Sequence, residues 1–236
     1  SPVRLIEFKN IKTMLNGYET LSPLDKKAKE LEMTIFISMS PEQILKKVEE
    51  TTRKQFHFED IKFSSFVLSS FLVVRDMHIN QENFLLIAIG GEVTDISMIK
   101  KNILHESISF PLGRNFIIRG VVSALGCSLS EAQSYISLLQ DEHATEFVEK
   151  KLKPVISKFQ LEWLYEFQKS LANLSKDISI PATIYLIVDK DLVDFFRQII
   201  ETEQFNQYTL TESKFKIIFL GAVVFHGMAV FENNII

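Results

Sequence analysis

An α/β fold built on mixed sheets is what this chain predicts, and three observations carry the prediction. Apolar or β-branched runs alternate with segments of helical spacing along the whole length. Three such runs, 84–89, 93–99 and 103–110, follow one another with only tight turns between them, which is the pattern of a meander. A further strand and helix return at 183–188 and 192–200. With 236 residues, 46% of them hydrophobic, the chain has enough apolar material for one large core or two smaller ones. There is no solenoid-type repeat, low-complexity tract or Pro- or Gly-rich linker.

Taken in order, residues 3–8 read as a short extended segment, and the turn-rich passage from Asn16-Gly17-Tyr18 to Leu21-Ser22-Pro23 reads as a loop. Met33-Thr34-Ile35-Phe36-Ile37-Ser38 predicts a strand. Residues 42–56, with Ile44, Leu45 and Val48 on a charged background, predict an amphipathic helix, with Ser40 as cap and Pro41 at the first helical position. Residues 61–66 predict a second strand and 67–75 an apolar helix. The polar break Asn80-Gln81-Glu82-Asn83 then divides a first unit, 1–79, from a second, 80–236.

After the meander, residues 115–125 predict a helix ending at Gly126. A second helix opens at Ser128-Leu129-Ser130-Glu131, where an acid follows a capping serine at the spacing of a capping box. Helical spacing continues to about Ala172, with a break expected near Pro154. The apolar run 217–231 contains His226 and two glycines and falls short of the roughly 20 residues a spanning helix needs, so it reads as buried core.

Composition narrows the function classes. Lys+Arg numbers 26 against Asp+Glu 30, a net charge of -4, which gives no attraction to a polyanion, so nucleic acid is not an expected partner. The single cysteine, Cys127, rules out an internal disulfide and a multi-thiolate zinc site; it suits a reducing compartment. No leader of basic, apolar and small-residue character is read at the start, and a cytoplasmic location is expected. Cys127 follows Gly126 at a helix junction with no partnering histidine and reads as a small core residue rather than a nucleophile. The five histidines show no ligand spacing, so no metal site is expected. The charged run 146–153 reads as a solvated helix face, and Trp163, Tyr165 and Phe167 as core plus one surface aromatic, since their spacing cannot share one face.

The segment Leu85-Leu86-Ile87-Ala88-Ile89-Gly90-Gly91-Glu92-Val93-Thr94-Asp95-Ile96 resembles the second phosphate-binding hairpin of the actin-like superfamily, in which an acid precedes a glycine pair and a Thr/Ser-Asp end. Glycines there let backbone amides approach phosphate. Asn16-Gly17-Tyr18, Ser22-Pro23, Lys27-Ala28 and Leu31-Glu32 resemble the 1C subdomain of FtsA. Phe110-Pro111-Leu112-Gly113-Arg114-Asn115-Phe116-Ile117 is similar to the Pro-x-Gly-Gly stretch that follows the hairpin in FtsA and PilM, and Ala124-Leu125-Gly126 with Ser130-Glu131-Ala132 to the helix junction after it. Four segments in the right order therefore resemble the FtsA/PilM branch. This implies an actin-like, ribonuclease H-like lobe over 80–236 with a mixed sheet, plus a small 1C-like α/β subdomain over 1–79.

On that resemblance Gly90, Gly91, Thr94, Asp95 and Gly113 mark a vestigial nucleotide-binding turn; the plainer alternative is an ordinary hairpin whose shape outlived its ligand. The departures all point away from catalysis. Ala88 stands where the family has its metal-linked acid, Asp189-Lys190-Asp191 stands where a Gly-Gly-Gly turn lies under adenosine, and Gly113-Arg114 replaces a Gly-Gly pair. The strands carrying the family's other phosphate loop have no counterpart in these residues. No catalytic residue, metal or cofactor is therefore expected. The implied function is a non-catalytic scaffold or adaptor in cell division or in pilus or envelope assembly. It would bind protein partners, self-associate through the 1C-like region (10–77), and sit at the inner face of the membrane by indirect attachment. Two alternatives stay open: a nucleotide-binding ATPase, using ATP and magnesium, whose first phosphate loop lies outside these residues, and a structural domain with unrelated partners.

Overall fold

A computed structural model describes residues 2–20, 22–57, 60–78, 80–140, 143, 145–175, 179–202 and 215–221. The chain divides into two compact units, Ser1–Leu72 and Val73–Ile236.

The first unit carries a three-stranded antiparallel sheet in the order β2-β1-β3, from β1 (Val3–Leu15), β2 (Tyr18–Glu19) and β3 (Leu31–Pro41). The extended segment expected at 3–8 is thus a strand of 13 residues. Irregularities in its register between Leu5 and Glu7 and between Asn10 and Lys12 break the alternation that the sequence pattern relies on, yet the pairing with β3 runs on through Leu15↔Leu31. Asn16 and Gly17, at φ 49 and 81, form the two-residue turn that folds β2 back on β1. The Asn16 side-chain oxygen also accepts the backbone N–H groups of Lys29 and Glu30 at 2.8 and 3.1 Å, tying the loop to the start of β3. Leu21, part of that loop, lies outside the described residues.

Helix α1 (Glu42–Phe56) follows β3 and stops at His57, whose φ of 58 is left-handed. Ser40 does not cap it. Pro41 holds the cap position with no side-chain hydrogen bond, and the Glu42 N–H donates to the Pro2 carbonyl at 2.9 Å instead. The strand expected at 61–66 does not form. Residues 61–65 are irregular and Phe66 opens α2 (Phe66–Met77). Their polar groups go elsewhere: Ser64 Oγ and Ser65 N–H donate to the Glu7 carboxylate at 2.5 and 3.0 Å, as does Ser38 Oγ at 2.9 Å. Glu7 is buried, which pushes its carboxyl up, but the hydrogen bonds from Ser64, Ser65 and Ser38 outweigh burial and hold it below the ordinary carboxylate range.

The second unit is built on a five-stranded mixed sheet, order β6-β5-β4-β7-β8, from β4 (Phe84–Ile89), β5 (Thr94–Lys100), β6 (Ile103–Phe110), β7 (Thr183–Ile187) and β8 (Lys216–Phe219). The first three form the expected antiparallel meander, closed between β5 and β6 by Lys101 and Asn102 at φ 50 and 57; β7 and β8 add in parallel beside β4. Every residue of β4 is buried, as a central strand covered on both faces requires.

Helices α3 (Arg114–Leu125), α4 (Leu129–Gln140), α5 (Glu146–Leu174) and α6 (Val193–Thr202) share a core with the sheet through Leu85, Ile87 and Ile89. The box at the start of α4 forms: Ser128 N–H donates to Glu131 Oε2 at 2.7 Å and Glu131 N–H to Ser128 Oγ at 3.3 Å. Helix α5 runs unbroken for 29 residues through Pro154. The proline sits on the exposed side, while Leu152, Phe159, Trp163, Phe167, Leu171 and Leu174 form a buried stripe that anchors both halves in one core. Trp163 and Phe167 stack at 4.9 Å and Tyr165 is exposed, matching the expected division of the three aromatics. Cys127 packs against the core. Of the apolar run 217–231, strand β8 is half-buried and Leu220 buried, and residues 222–231 lie outside the described residues.

Candidate functional site

Gly90, Gly91, Glu92 and Val93 form the turn between β4 and β5, closed by a hydrogen bond from Gly90 N–H to the Val93 carbonyl at 2.9 Å. The turn is pressed against the start of α3. Arg114 N–H donates to the Gly90 carbonyl at 3.0 Å and Asn115 N–H to the Gly91 carbonyl at 2.8 Å, so two first-turn amides of the helix, the groups that would receive an anion, are already bonded. A Cβ on Gly113 would lie 2.5 Å from each of those carbonyl oxygens; the approach is possible because position 113 has no side chain.

Thr94 is fully buried, its hydroxyl donating to the Leu112 carbonyl at 2.6 Å and accepting the Trp163 indole N–H at 3.1 Å. Its hydroxyl is spent on bracing the turn, the 110–113 connection and α5 together. Asp95 pairs across the sheet with Ala88 on one side and Ser109 on the other, and accepts the Ser109 hydroxyl proton at 2.5 Å. Of the five residues picked out by sequence, the structure therefore gathers Gly90, Gly91 and Gly113 at one turn, buries Thr94 beside them, and sets Asp95 one strand across from Ala88.

Two arrangements were not read from the sequence. At the tip of the turn, the Glu92 carboxylate accepts Asn115 Nδ2 at 3.0 Å and Arg119 Nη1 and Nη2 at 2.7 and 3.0 Å. The Arg119 bonds first, and then Asn115, pull the Glu92 carboxyl down to about 2, and the same contact raises the Arg119 guanidinium. Asn115 and Arg119 lie four apart, on one face of a helix; that spacing is visible in the sequence, but the acid they meet is set by the hairpin.

The second arrangement lies at the C-terminal ends of the parallel strands β4 and β7, where open α/β sheets bind their ligands. Arg114 there ion-pairs with Asp189. A cleft of about 170 Å³ beside the pair is floored by Ile118, Ile136 and Leu192 and rimmed by Arg114, Asp189 and Asp191. Arg114 Nε is buried and has no hydrogen-bond partner among the described residues. Among the described residues no group of three or more histidine, cysteine or carboxylate side chains is arranged to hold a metal, and no helix is long and apolar enough to cross a membrane.

This architecture, an antiparallel three-strand meander continued by parallel strands with helices packed on it, is the actin-like fold. Among solved structures of this fold, the chain matches the PilM-PilN type IV pilus biogenesis complex with a TM-score of 0.60 at 14% identity, covering 84% of this chain and 54% of that one, in line with the resemblance read from the sequence. The chain thus spans about half the length of that relative. Ta0583, an archaeal actin homolog, matches with a TM-score of 0.46 at 12% identity over 69% of this chain and 51% of that one. The ethanolamine utilization protein EutJ from Carboxydothermus hydrogenoformans matches at 0.40 and 16% over 63% and 48%. No family model and no curated protein sequence matches.

Proposed function

We propose that this chain is a non-catalytic actin-like scaffold or adaptor that works by binding a partner protein in pilus, envelope or division assembly, at the inner face of the membrane. The observation that carries the reading is the Arg114–Asp189 ion pair across the ends of β4 and β7: the crevice in which the fold would place a ligand is spanned by two of the chain's own side chains. Ala88 supports it, since a methyl group in the position of a metal-linked acid coordinates neither a cation nor its water. So do the bonded first-turn amides of α3.

The PilM structure is that of a complex with PilN, which favours protein contact as the retained use of the fold. Self-association through residues 10–77 belongs to the same proposal, as do the roles of Gly90, Gly91, Thr94, Asp95 and Gly113 as remnants of a nucleotide turn.

Calorimetric titration of ATP with magnesium into the chain, and into the full-length product of its gene, tests the reading. Absence of binding to both is the expected result. Micromolar binding to the full-length product replaces it with the nucleotide-binding ATPase reading, in which a first phosphate loop completes the site.

A further inference from the structure

We infer that residues 61–65 are a strap poised to close as a strand on the free edge of β1, and that the Glu7 carboxylate is the pin that holds the strap open. Strap and strand both lie in the first unit.

Strand β1 is paired with β3 from Val3↔Pro41 to Leu15↔Leu31, but on its other edge only Met14 and Leu15 are paired, with β2. Residues 61–64 face the unpaired stretch across a groove of about 650 Å³, lined on the β1 side by Arg4 and each following residue through Lys9. Arg4 and Glu7 reach across it. Arg4 Cζ lies 5.5 Å from the centre of the Phe63 ring, and the Glu7 carboxylate accepts Ser64 Oγ and Ser65 N–H at 2.5 and 3.0 Å. Arg4 precedes Glu7 as Phe63 precedes Ser64, so strap and strand run alongside each other in the same direction.

The strap has the side chains of a strand without the pairing. Ile61 and Phe63 are strand-forming residues, yet among the described residues no backbone hydrogen bond ties 61–64 to β1. The Ser65 N–H is spent on a side chain instead of on the β1 backbone.

Glu7 has the two features by which sheets keep an edge from pairing. It follows a register irregularity between Leu5 and Glu7, and it is a buried carboxylate on the edge itself. Bulges re-aim side chains, and inward-pointing charges blunt edges. From within the sheet, Ser38 Oγ on β3 donates to the same carboxylate at 2.9 Å and fixes its direction. Charge-assisted hydrogen bonds are about twice as strong as neutral ones, so the pair from the strap offsets about four ladder bonds, close to what so short a segment would form. Open and closed arrangements are therefore near balance, and the charge on Glu7 decides between them. Closure fills the groove, so that charge sets whether this surface of the first unit is open.

Hydrogen exchange read residue by residue on the 236-residue chain tests the strap. In the unsubstituted chain the amides of 61–64 are expected to exchange fast. Glu7→Gln keeps the size of the side chain and removes its charge, and is expected to slow exchange at 61–64 at least roughly tenfold. A carboxylate that only anchors the segment gives no slowing when its charge is removed. Ser64→Ala removes one tie from the strap's side and leaves β1 intact; it is expected to slow the same amides by a smaller factor, and it decides the case should Glu7→Gln fail to fold by circular dichroism. Exchange at 61–64 that is already slow in the unsubstituted chain, or that stays fast in the folded variants, overturns the strap.

Discussion

Arg114, the first residue of α3, is ion-paired with Asp189 just beyond β7, and its backbone N–H donates to the Gly90 carbonyl in the turn after β4, so the start of α3 ties the C-terminal ends of two neighbouring parallel strands together. One strand-end away, Ala88 faces Asp95 across β4 and β5. Ala88→Asp would set two carboxylates opposite each other in one sheet, which costs at least about 0.2–1 kcal/mol, and would leave the Arg114–Asp189 bridge in place. The variant is expected to melt at a lower temperature and to release no phosphate from ATP above background. Measurable turnover from this single change would overturn the non-catalytic reading.

Gly113 makes a sharper prediction about the turn. A Cβ there meets the Gly90 and Gly91 carbonyl oxygens at 2.5 Å, and both are backbone atoms already fixed by hydrogen bonds to α3. Gly120, on the same helix, would meet the Val155 Cγ1 methyl at 2.6 Å, a side-chain atom that can turn aside. Gly113→Ala is expected to cost about 1–3 kcal/mol in urea unfolding and Gly120→Ala clearly less. Equal losses would mean that the turn is not pressed on α3 as described.

What the sequence made legible was local. The meander, the turn at Asn16-Gly17 and the Ser128–Glu131 box follow from periodicity and turn chemistry within a few residues, and the structure contains all of them. Residues 61–66 failed as a strand because pairing is decided by distant partners: the donors of Ser64 and Ser65 go to Glu7, 57 and 58 positions away. Pro154 was overruled by a buried stripe running the length of α5. At the site, the glycines at 90, 91 and 113 were legible through the resemblance. The burial of Thr94 was not, because Trp163, which caps its hydroxyl, lies 69 positions downstream.

Thr94 joins three parts of the second unit through one hydroxyl, so removing that hydroxyl strands two buried groups at once. Thr94→Val keeps the shape but leaves the Leu112 carbonyl and the Trp163 N–H without their partner. Each unsatisfied group costs about 1–3 kcal/mol. Unfolding measurements are expected to show a large loss for Thr94→Val and a small one for Thr94→Ser, which retains the hydroxyl. A valine variant as stable as the serine variant would show that the hydroxyl braces nothing.

Glu92 predicts a pH signature at the tip of the turn. Arg119, and after it Asn115, hold its carboxyl near 2 against an ordinary 4.5. Because the folded value is depressed, the stabilisation is complete above the unfolded value near 4.5 and is lost as pH falls toward 2. Both side chains are more than half exposed, at 59% for Glu92 and 55% for Arg119, so added salt weakens the effect. An NMR titration of the Glu92 carboxyl carbon is expected to show its midpoint near 2, and Arg119→Gln to move it back toward 4.5. Glu131, lowered by the Ser128 backbone N–H and hydroxyl at the start of α4, serves as the internal control and should not move in that variant. If Glu92 titrates in the ordinary range in the unsubstituted chain, the clamp between turn and helix does not form in solution.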